Sequence, residues 1–274
     1  MCLNPVFIPQ QWLYVDCGKC IECKIKRAKQ WAYRVSLEAS QYKDNCLVTL
    51  TYNDANLPDR ASLSRRDLQL FMKRLRKAIS PLKVRFFACG EYGSEKNTAR
   101  PHYHIILFGW KPSDLYYFFT DKKGYKMFRS PLIEKIWLKG FSTVGAVEFD
   151  TAKYVAIYLM KPPKDGRQKP FVVMSRRPGI AHDCFKPEWL FSDKIYVQGK
   201  YISIPKYYLD ILERDYGYDL SEFREKRKDK ARSKSSVYMD VYSDEWQQAQ
   251  DELKIRRDKF EKIFQKSLDK YFNV

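Results

Sequence analysis

The segments VRFFACGEY (residues 84–92) and PHYHIILFG (residues 101–109) determine the central part of the predicted fold. Each segment is a short run rich in aromatic and β-branched residues, which is typical of a β-strand. The loop between them, GSEKNTAR, is polar and contains the glycine that turns often need. We therefore predict that the two segments pair as a hairpin.

Helices and strands alternate on both sides of this hairpin. Apolar residues at helical spacing, or in β-rich runs, predict further elements in chain order. These are a helix at 25–42, a strand at 46–52, a helix at 64–79 capped by Ser64, a helix from Ser130-Pro131 to near Gly140, a strand at 142–149 and a helix at 151–161. The order indicates an α+β domain with a mainly antiparallel sheet.

Composition changes along the chain predict three regions. Residues 1–24 carry a cysteine cluster, residues 25–218 form the main domain, and residues 219–274 form a charged helical region. Within the last region, residues 222–236 are very polar and indicate either a linker or a solvated helix.

The charge points to a nucleic-acid partner. The 274 residues carry a net charge of +18, and phosphates reward such a field through counterion release. No apolar run is long enough to span a bilayer, and the first residues lack a signal-peptide pattern, so we expect a cytosolic protein without a membrane partner. The predicted DNA contacts are Lys24, Lys26, Arg27, Arg65, Arg66, Lys73, Arg74 and Arg100.

Two of the three histidines occur as His102-Tyr103-His104 inside a predicted strand. Because strand side chains alternate, both imidazoles lie on one face. Glu91 ends the preceding strand, and hairpin pairing would place it nearly opposite His102. Two imidazoles and one carboxylate form a mixed nitrogen and oxygen site that suits Mn²⁺, with Mg²⁺ as the harder alternative. The competing interpretation is a pair of ordinary half-buried strand histidines.

A tyrosine pair lies in DTAKYVAIYLMK at residues 150–161. Tyr154, Tyr158 and Lys161 are spaced so that they share one face of a helix. Two phenols on one face permit two sequential transesterifications, and a nearby ammonium could stabilise a phenolate. The competing interpretation is a packed amphipathic face.

The cysteines near the N-terminus have the spacing of a metal site. One C-x₂-C pair is followed, after two intervening residues, by a third thiol, and a further cysteine near the start could supply a fourth ligand for structural zinc. An iron–sulfur cluster and reduced, unliganded thiols are the alternatives. The four candidates are Cys2, Cys17, Cys20 and Cys23.

Taken in order, three segments resemble the three motifs of HUH-superfamily replication initiators. They are LVTLTY at 47–52, RPHYHIILFG at 100–109 and YVAIYLMK at 154–161. Four shorter matches narrow the resemblance to initiators of small single-stranded DNA phages of the Microviridae, the gokushovirus-like group. These are MCLNP, CGKCIECK, GEYG and SRRPGI.

The resemblance implies an RNA-recognition-like fold with a central five-stranded antiparallel sheet flanked by helices. It implies a metal-dependent endonuclease that nicks single-stranded DNA at a replication origin, single-stranded or supercoiled, and later rejoins the ends. Tyr154 and Tyr158 would alternate in forming a 5′-phosphotyrosyl link, with the metal on His102, His104 and Glu91. Host helicase and polymerase would be partners in the cytoplasm of the bacterial host.

Two other functions compete with this one. One is a related HUH relaxase or transposase, which uses the same chemistry in another context. The other is a non-catalytic, zinc-stapled nucleic-acid-binding protein. The paired tyrosines and Lys161 argue against the binding protein, because binding alone requires no such array.

Overall fold

The computed structural model describes residues 2–93, 100–121, 124–147, 166–197 and 199–235, together with individual positions between 244 and 262. The chain divides into two compact units. The larger consists of Ala28–Cys184 with Phe272–Val274, and the smaller of Met1–Arg27 with Phe185–Tyr271. The predicted helix at 151–161, which carries Tyr154, Tyr158 and Lys161, lies outside the described residues.

The described strands and helices follow in chain order. The strands are β1 (Val6–Ile8), β2 (Leu13–Val15), β3 (Asn45–Tyr52), β4 (Arg85–Tyr92), β5 (Pro101–Phe108), β6 (Tyr116–Thr120), β7 (Lys126–Arg129), β8 (Gly140–Gly145), β9 (Phe171–Met174), β10 (Lys194–Val197) and β11 (Lys200–Ser203). The helices are α1 (Ile21–Ala39), α2 (Arg65–Ala78), α3 (Pro131–Trp137), α4 (Trp189–Ser192), α5 (Lys206–Tyr216) and α6 (Ser221–Ser235).

The larger unit is built on one antiparallel sheet. Its strand order is β6-β7-β8-β3-β5-β4-β9. β4 pairs with β5 over its full length, which confirms the predicted hairpin, and β3 pairs with the other edge of β5. The two strands that carry the histidines and Glu91 therefore lie in the middle of the sheet.

The expectation of five strands is wrong for this sheet, which has seven. Part of the difference is the hairpin of β6 and β7, for which the sequence pattern gives no signal. All five residues of β6 are exposed, including Tyr116, Tyr117, Phe118 and Phe119 at 41% to 57% exposure. A strand without a buried face lacks the alternation of apolar and polar residues by which strands are recognised.

One face of the sheet holds the main hydrophobic core. Alternate residues of β3, β4 and β5 pack there against α2 and α3. The hydroxyl groups of Tyr52 and Tyr103 lie 2.9 Å apart in this core, and Tyr52 also donates to Asp67 at 2.7 Å. Buried hydroxyls that are hydrogen-bonded in this way fix the positions of their rings. Tyr103 thus anchors β5 from the face opposite its two histidines.

α2 begins directly after the predicted cap Ser64, and α3 begins at Pro131 as predicted. Ser64 accepts a hydrogen bond from the backbone of Asp67 at 3.1 Å, and Ser130 accepts one from Ile133 at 3.1 Å. The helix that begins at Pro131 ends at Trp137, before the predicted stop at Gly140. Gly140 instead starts β8, where a Cβ atom would lie 2.2 Å from the carbonyl oxygen of Thr51.

The opposite face of the sheet meets α1. Trp31 packs on Phe87 with ring centroids 5.4 Å apart. Arg34 donates to the carbonyl of Ile180 at 2.7 Å, and Glu38 forms an ion pair with Arg85 at 2.5 Å. These contacts hold the segment after β9 against the helix.

Among its described residues, the smaller unit contains the hairpins β1-β2 and β10-β11, the first turns of α1, and α4, α5 and α6. α5 buries one apolar face, which includes Tyr208 and Leu212. The polar segment predicted as a linker or a solvated helix forms α6, so the helical alternative is confirmed. Among the described residues, no helix has the length and apolar character needed to cross a membrane.

Candidate functional site

The candidate site lies on the face of the central strands that is opposite the Tyr103 core. In the register of the sheet, His102 pairs with Glu91 on one side and with Thr51 on the other. His104 pairs with Cys89 and Thr49. The predicted position of Glu91 opposite His102 is therefore confirmed.

Two hydrogen bonds hold the His104 ring. Its Nε2 lies 2.7 Å from Oε1 of Glu91, and its Nδ1 lies 3.0 Å from the hydroxyl of Thr49. Glu91 is only 2% exposed and His104 only 7%. The His102 and His104 rings lie 6.5 Å apart, measured between centroids.

Burial sets the charge state of both histidines. Desolvation lowers the pKa of His102 to about 4, and the neighbouring His104 contributes in the same direction. Burial likewise lowers the pKa of His104 to about 4. Both imidazoles are neutral at pH 7, which is the form that binds a metal ion.

The three predicted ligands lie on one face of the sheet, but their ligand atoms do not all lie within 4.8 Å of one another in the described part of the chain. A neutral His104 that donates from Nε2 to Glu91 accepts from the Thr49 hydroxyl at Nδ1. Nδ1 of His102 is buried and has no hydrogen-bond partner among the described residues. A cation bound at this buried nitrogen would satisfy it.

Thr49 is a residue that sequence reasoning missed. Its hydroxyl can donate or accept, so it can hold His104 whichever ring nitrogen carries the proton. Hydrogen bonds of this kind orient metal-binding histidines. The signal was present in LVTLTY, but it becomes readable only when β3 is known to pair with β5 in this register.

The cations of the larger unit that were predicted to contact DNA divide into two groups, those exposed to solvent and those already bonded within the fold. Arg65, Arg66 and Lys73 are exposed on α2, and the guanidinium of Arg65 lies 4.4 Å from the centre of the Phe171 ring. Arg74 donates to the carbonyl of Ile136 at 3.1 Å. Arg100 forms an ion pair with Asp54. The fold thus already uses Arg74 and Arg100.

In the smaller unit, three predicted basic contacts follow the cysteine cluster. Lys24 is half-buried, while Lys26 and Arg27 are exposed. Lys26 forms an ion pair with Asp16 at 2.6 Å. The unit also brings the four predicted cysteines together, with all four sulfur atoms within 4.8 Å of one another.

The larger unit also has a groove that the sequence pattern does not predict. It has a volume of about 420 Å³ and lies between α2, β4 and β9. Its lining combines apolar side chains with three cations, and the guanidinium of Arg76 lies 5.3 Å from the centre of the Phe86 ring. The cations are Lys73, Arg76 and Arg176.

Comparisons with known proteins agree on one group. A family model for replication-associated proteins of the ORF2 type matches residues 45–163, which include β3, Glu91, both site histidines and the tyrosine segment. No solved structure matches the chain significantly.

Three curated proteins are similar over most of the chain. Replication-associated protein ORF2 of Spiroplasma virus 4 is 31% identical over 234 residues, which cover 78% of this chain and 72% of that protein. Replication-associated protein VP4 of Bdellovibrio phage phiMH2K is 31% identical over 235 residues, covering 79% and 73%. Replication-associated protein ORF4 of Chlamydia phage 1 is 28% identical over 226 residues, covering 76% and 56%.

Proposed function

Since this chain belongs to the family of phage replication-associated proteins of the ORF2 type, we propose that it initiates rolling-circle replication by nicking single-stranded DNA at an origin. The observation that carries this proposal is the register of β4 and β5, which aligns Glu91 with the His102 and His104 face. A protein that only bound DNA would have no need for two histidines and a buried carboxylate on one face of the sheet.

The proposed chemistry is transesterification at one phosphodiester. His102, His104 and Glu91 would hold Mn²⁺ or Mg²⁺, which supplies Lewis acidity at the phosphate. The phenol of Tyr154 or Tyr158 loses its proton, and its oxygen bonds to the phosphorus. The bond from phosphorus to the 3′ oxygen breaks, and that oxygen takes up a proton. The products are a 5′-phosphotyrosyl link and a free 3′-hydroxyl.

Lys161 and the second tyrosine also have roles in the proposed mechanism. An unperturbed phenol has a pKa near 10, so the ammonium of Lys161, three residues after Tyr158 on the predicted helix, would stabilise the phenolate. The second phenol would attack the regenerated origin and allow the ends to be rejoined. Host polymerase would extend the 3′-hydroxyl, and a host helicase would separate the strands, both in the bacterial cytoplasm.

The test is covalent capture of DNA. Purified protein is incubated with a single-stranded oligonucleotide that spans the replication origin, in the presence of Mn²⁺. We expect a denaturation-resistant adduct, and a chelator should prevent its formation. If no adduct forms with any oligonucleotide tiled across the phage genome, the nicking function is wrong, even though the family assignment stands.

Salt should weaken DNA binding steeply. The logarithm of the affinity for single strands should fall linearly with the logarithm of the salt concentration, by about 0.7 for each phosphate contact. Lys73→Ala should reduce this slope by about one contact, because Lys73 is exposed beside the groove. The matched control is Lys226→Ala, which removes the same charge from an ion pair with Glu222 on α6. If both variants gave the same salt dependence of binding, α2 would not be part of the DNA interface.

Loss of the Thr49 hydroxyl should weaken metal binding. Thr49→Val keeps the shape of the side chain but can no longer hold Nδ1 of His104 at 3.0 Å, so we expect about 10–100-fold weaker binding. The measurement is the Mn²⁺ concentration that half-saturates cleavage. Thr49→Ser retains the hydroxyl and should restore the wild-type value. A Val variant that needs no additional Mn²⁺ would show that Thr49 does not orient the ring.

A further inference from the structure

The N-terminal cysteines converge from three places in the smaller unit. Cys2 lies at the start of the chain, Cys17 and Cys20 lie in the turn after β2, and Cys23 lies in the first turn of α1. The sulfur atoms of Cys2 and Cys20 are 3.8 Å apart, and those of Cys17 and Cys23 are 4.0 Å apart. Among the described residues, these four form the one group of three or more His, Cys, Asp or Glu ligands within 4.8 Å of one another.

The distances between the sulfur atoms distinguish a zinc site from disulfides and from an iron–sulfur cluster. A disulfide requires sulfur atoms about 2.05 Å apart, so the four thiols are not oxidised in pairs. Tetrahedral zinc with bonds of about 2.3 Å holds its sulfurs about 3.8 Å apart. An iron–sulfur cluster binds its thiolates through different iron atoms, which spreads them farther. We propose that Cys2, Cys17, Cys20 and Cys23 bind one structural Zn²⁺ ion.

The backbone around the sulfurs supports this proposal independently. The amides of Asn4 and Cys17 donate to Sγ of Cys2 at 3.4 and 3.2 Å. The amides of Lys19 and Cys20 donate to Sγ of Cys17 at 3.4 and 3.3 Å. Donors aimed at sulfur stabilise its negative charge, and thiolate is the form in which cysteine binds metal.

The turn between Cys17 and Cys20 is shaped for two ligands. Gly18 has a φ of 71°, in the left-handed region that favours glycine. This conformation lets the two amides that follow it point back at Cys17. A side chain at position 18 would strain the turn, so the glycine is part of the metal site.

The zinc ion would join the first residues of the chain to the start of α1. Cys2, Leu3 and Cys23 are buried at 5%, 4% and 7% exposure, whereas the nearby apolar side chains of Val6 and Trp12 are 50% and 67% exposed. Small metal sites replace a hydrophobic core in this way. The site therefore holds the segment that carries half-buried Lys24 and exposed Lys26 and Arg27.

Metal analysis tests the proposal. The full-length chain, purified in reducing buffer without chelator, should contain about one zinc ion per chain. A mercurial thiol reagent should release this zinc to a chromogenic indicator, and Co²⁺ in its place should show the visible absorption of tetrahedral thiolate coordination. Zinc content near zero, with all seven cysteines reduced, would overturn the site. Iron in place of zinc would overturn the identity of the metal.

Three variants locate the metal within the chain. Cys20→Ser should lose most of the zinc, while Cys184→Ser should retain it, because Cys184 is buried in the larger unit and donates to the Leu37 carbonyl at 3.4 Å. The His102→Ala/His104→Ala variant should also keep its zinc, which separates this site from the proposed catalytic one. Equal zinc in the Cys20 and Cys184 variants would contradict the ligand assignment, and mercurial titration of the wild type decides the matter if Cys20→Ser does not fold.

Discussion

Replacement of both Tyr154 and Tyr158 by Phe should abolish the covalent protein–DNA adduct. Each substitution removes one hydroxyl and keeps the ring, so packing of the predicted helix should change little. Without a phenol, the metal site has no nucleophile on this helix to direct at the phosphate. DNA binding should remain near the wild-type affinity, since it depends on the basic surface. The measurement is adduct formation on a denaturing gel, with binding followed separately by fluorescence anisotropy.

The two single variants separate cleavage from strand transfer. In the proposed mechanism one tyrosine suffices for one cut, so Tyr154→Phe and Tyr158→Phe should each form some adduct. Neither should complete strand transfer, because that step requires a second phenol while the first still holds the 5′ end. Mass spectrometry of the wild-type adduct should find nucleotide on one of these two residues. Nucleotide on any other tyrosine, or adduct formed by the double variant, would refute the assignment.

Replacement of both His102 and His104 by Ala should reduce cleavage by about a thousand-fold or more. Loss of the cation removes several kcal/mol of stabilisation of the developing charge on the phosphate. The fold should survive, because Tyr103 anchors the same strand from the opposite face through its contacts with Tyr52 and Ser64. The measurements are the single-turnover cleavage rate with saturating Mn²⁺ and the thermal unfolding midpoint.

His182→Ala is the matched control for this variant. His182 is the remaining histidine of the chain, and its ring contacts the adjacent Asp183 at 2.7 Å in the turn His182–Cys184 that follows β9. Its removal should leave cleavage unchanged. In the wild type, chelator should act like the double substitution, and Mn²⁺ or Mg²⁺ should restore the rate. Full cleavage by the double variant in excess chelator would show that the reaction needs no metal at these histidines.

The central strands can be predicted from the sequence because the apolar pattern of a buried strand and the spacing of the candidate metal ligands indicate the same arrangement. The spacing of His102 and His104 places both rings on one face whatever surrounds them, and the short loop before them leaves Glu91 as the facing carboxylate. The cysteine spacing likewise predicts four ligands, and the structure brings their sulfur atoms within 4.8 Å of one another. In each case a local pattern, read with strand or turn geometry, was sufficient.

Other features depend on contacts that are distant in the sequence. Arg74 and Arg100 resemble any exposed cation in a basic run, and only the structure shows that each already has an acceptor. Thr49 orients His104 from 55 residues away, so its role depends on register. β6 cannot be predicted from the sequence pattern because it has no buried face.

The exposed aromatic side chains of β6 have a consequence for how the protein behaves in concentrated solution. As the terminal strand of the described sheet, β6 presents backbone donors and acceptors to which a second chain could add a strand. A register shift between Tyr117 and Phe119 disturbs this edge, and the net charge of +18 keeps copies apart. Salt screens that repulsion. High ionic strength should therefore promote self-association, and colloidal stability should be greatest in dilute buffer.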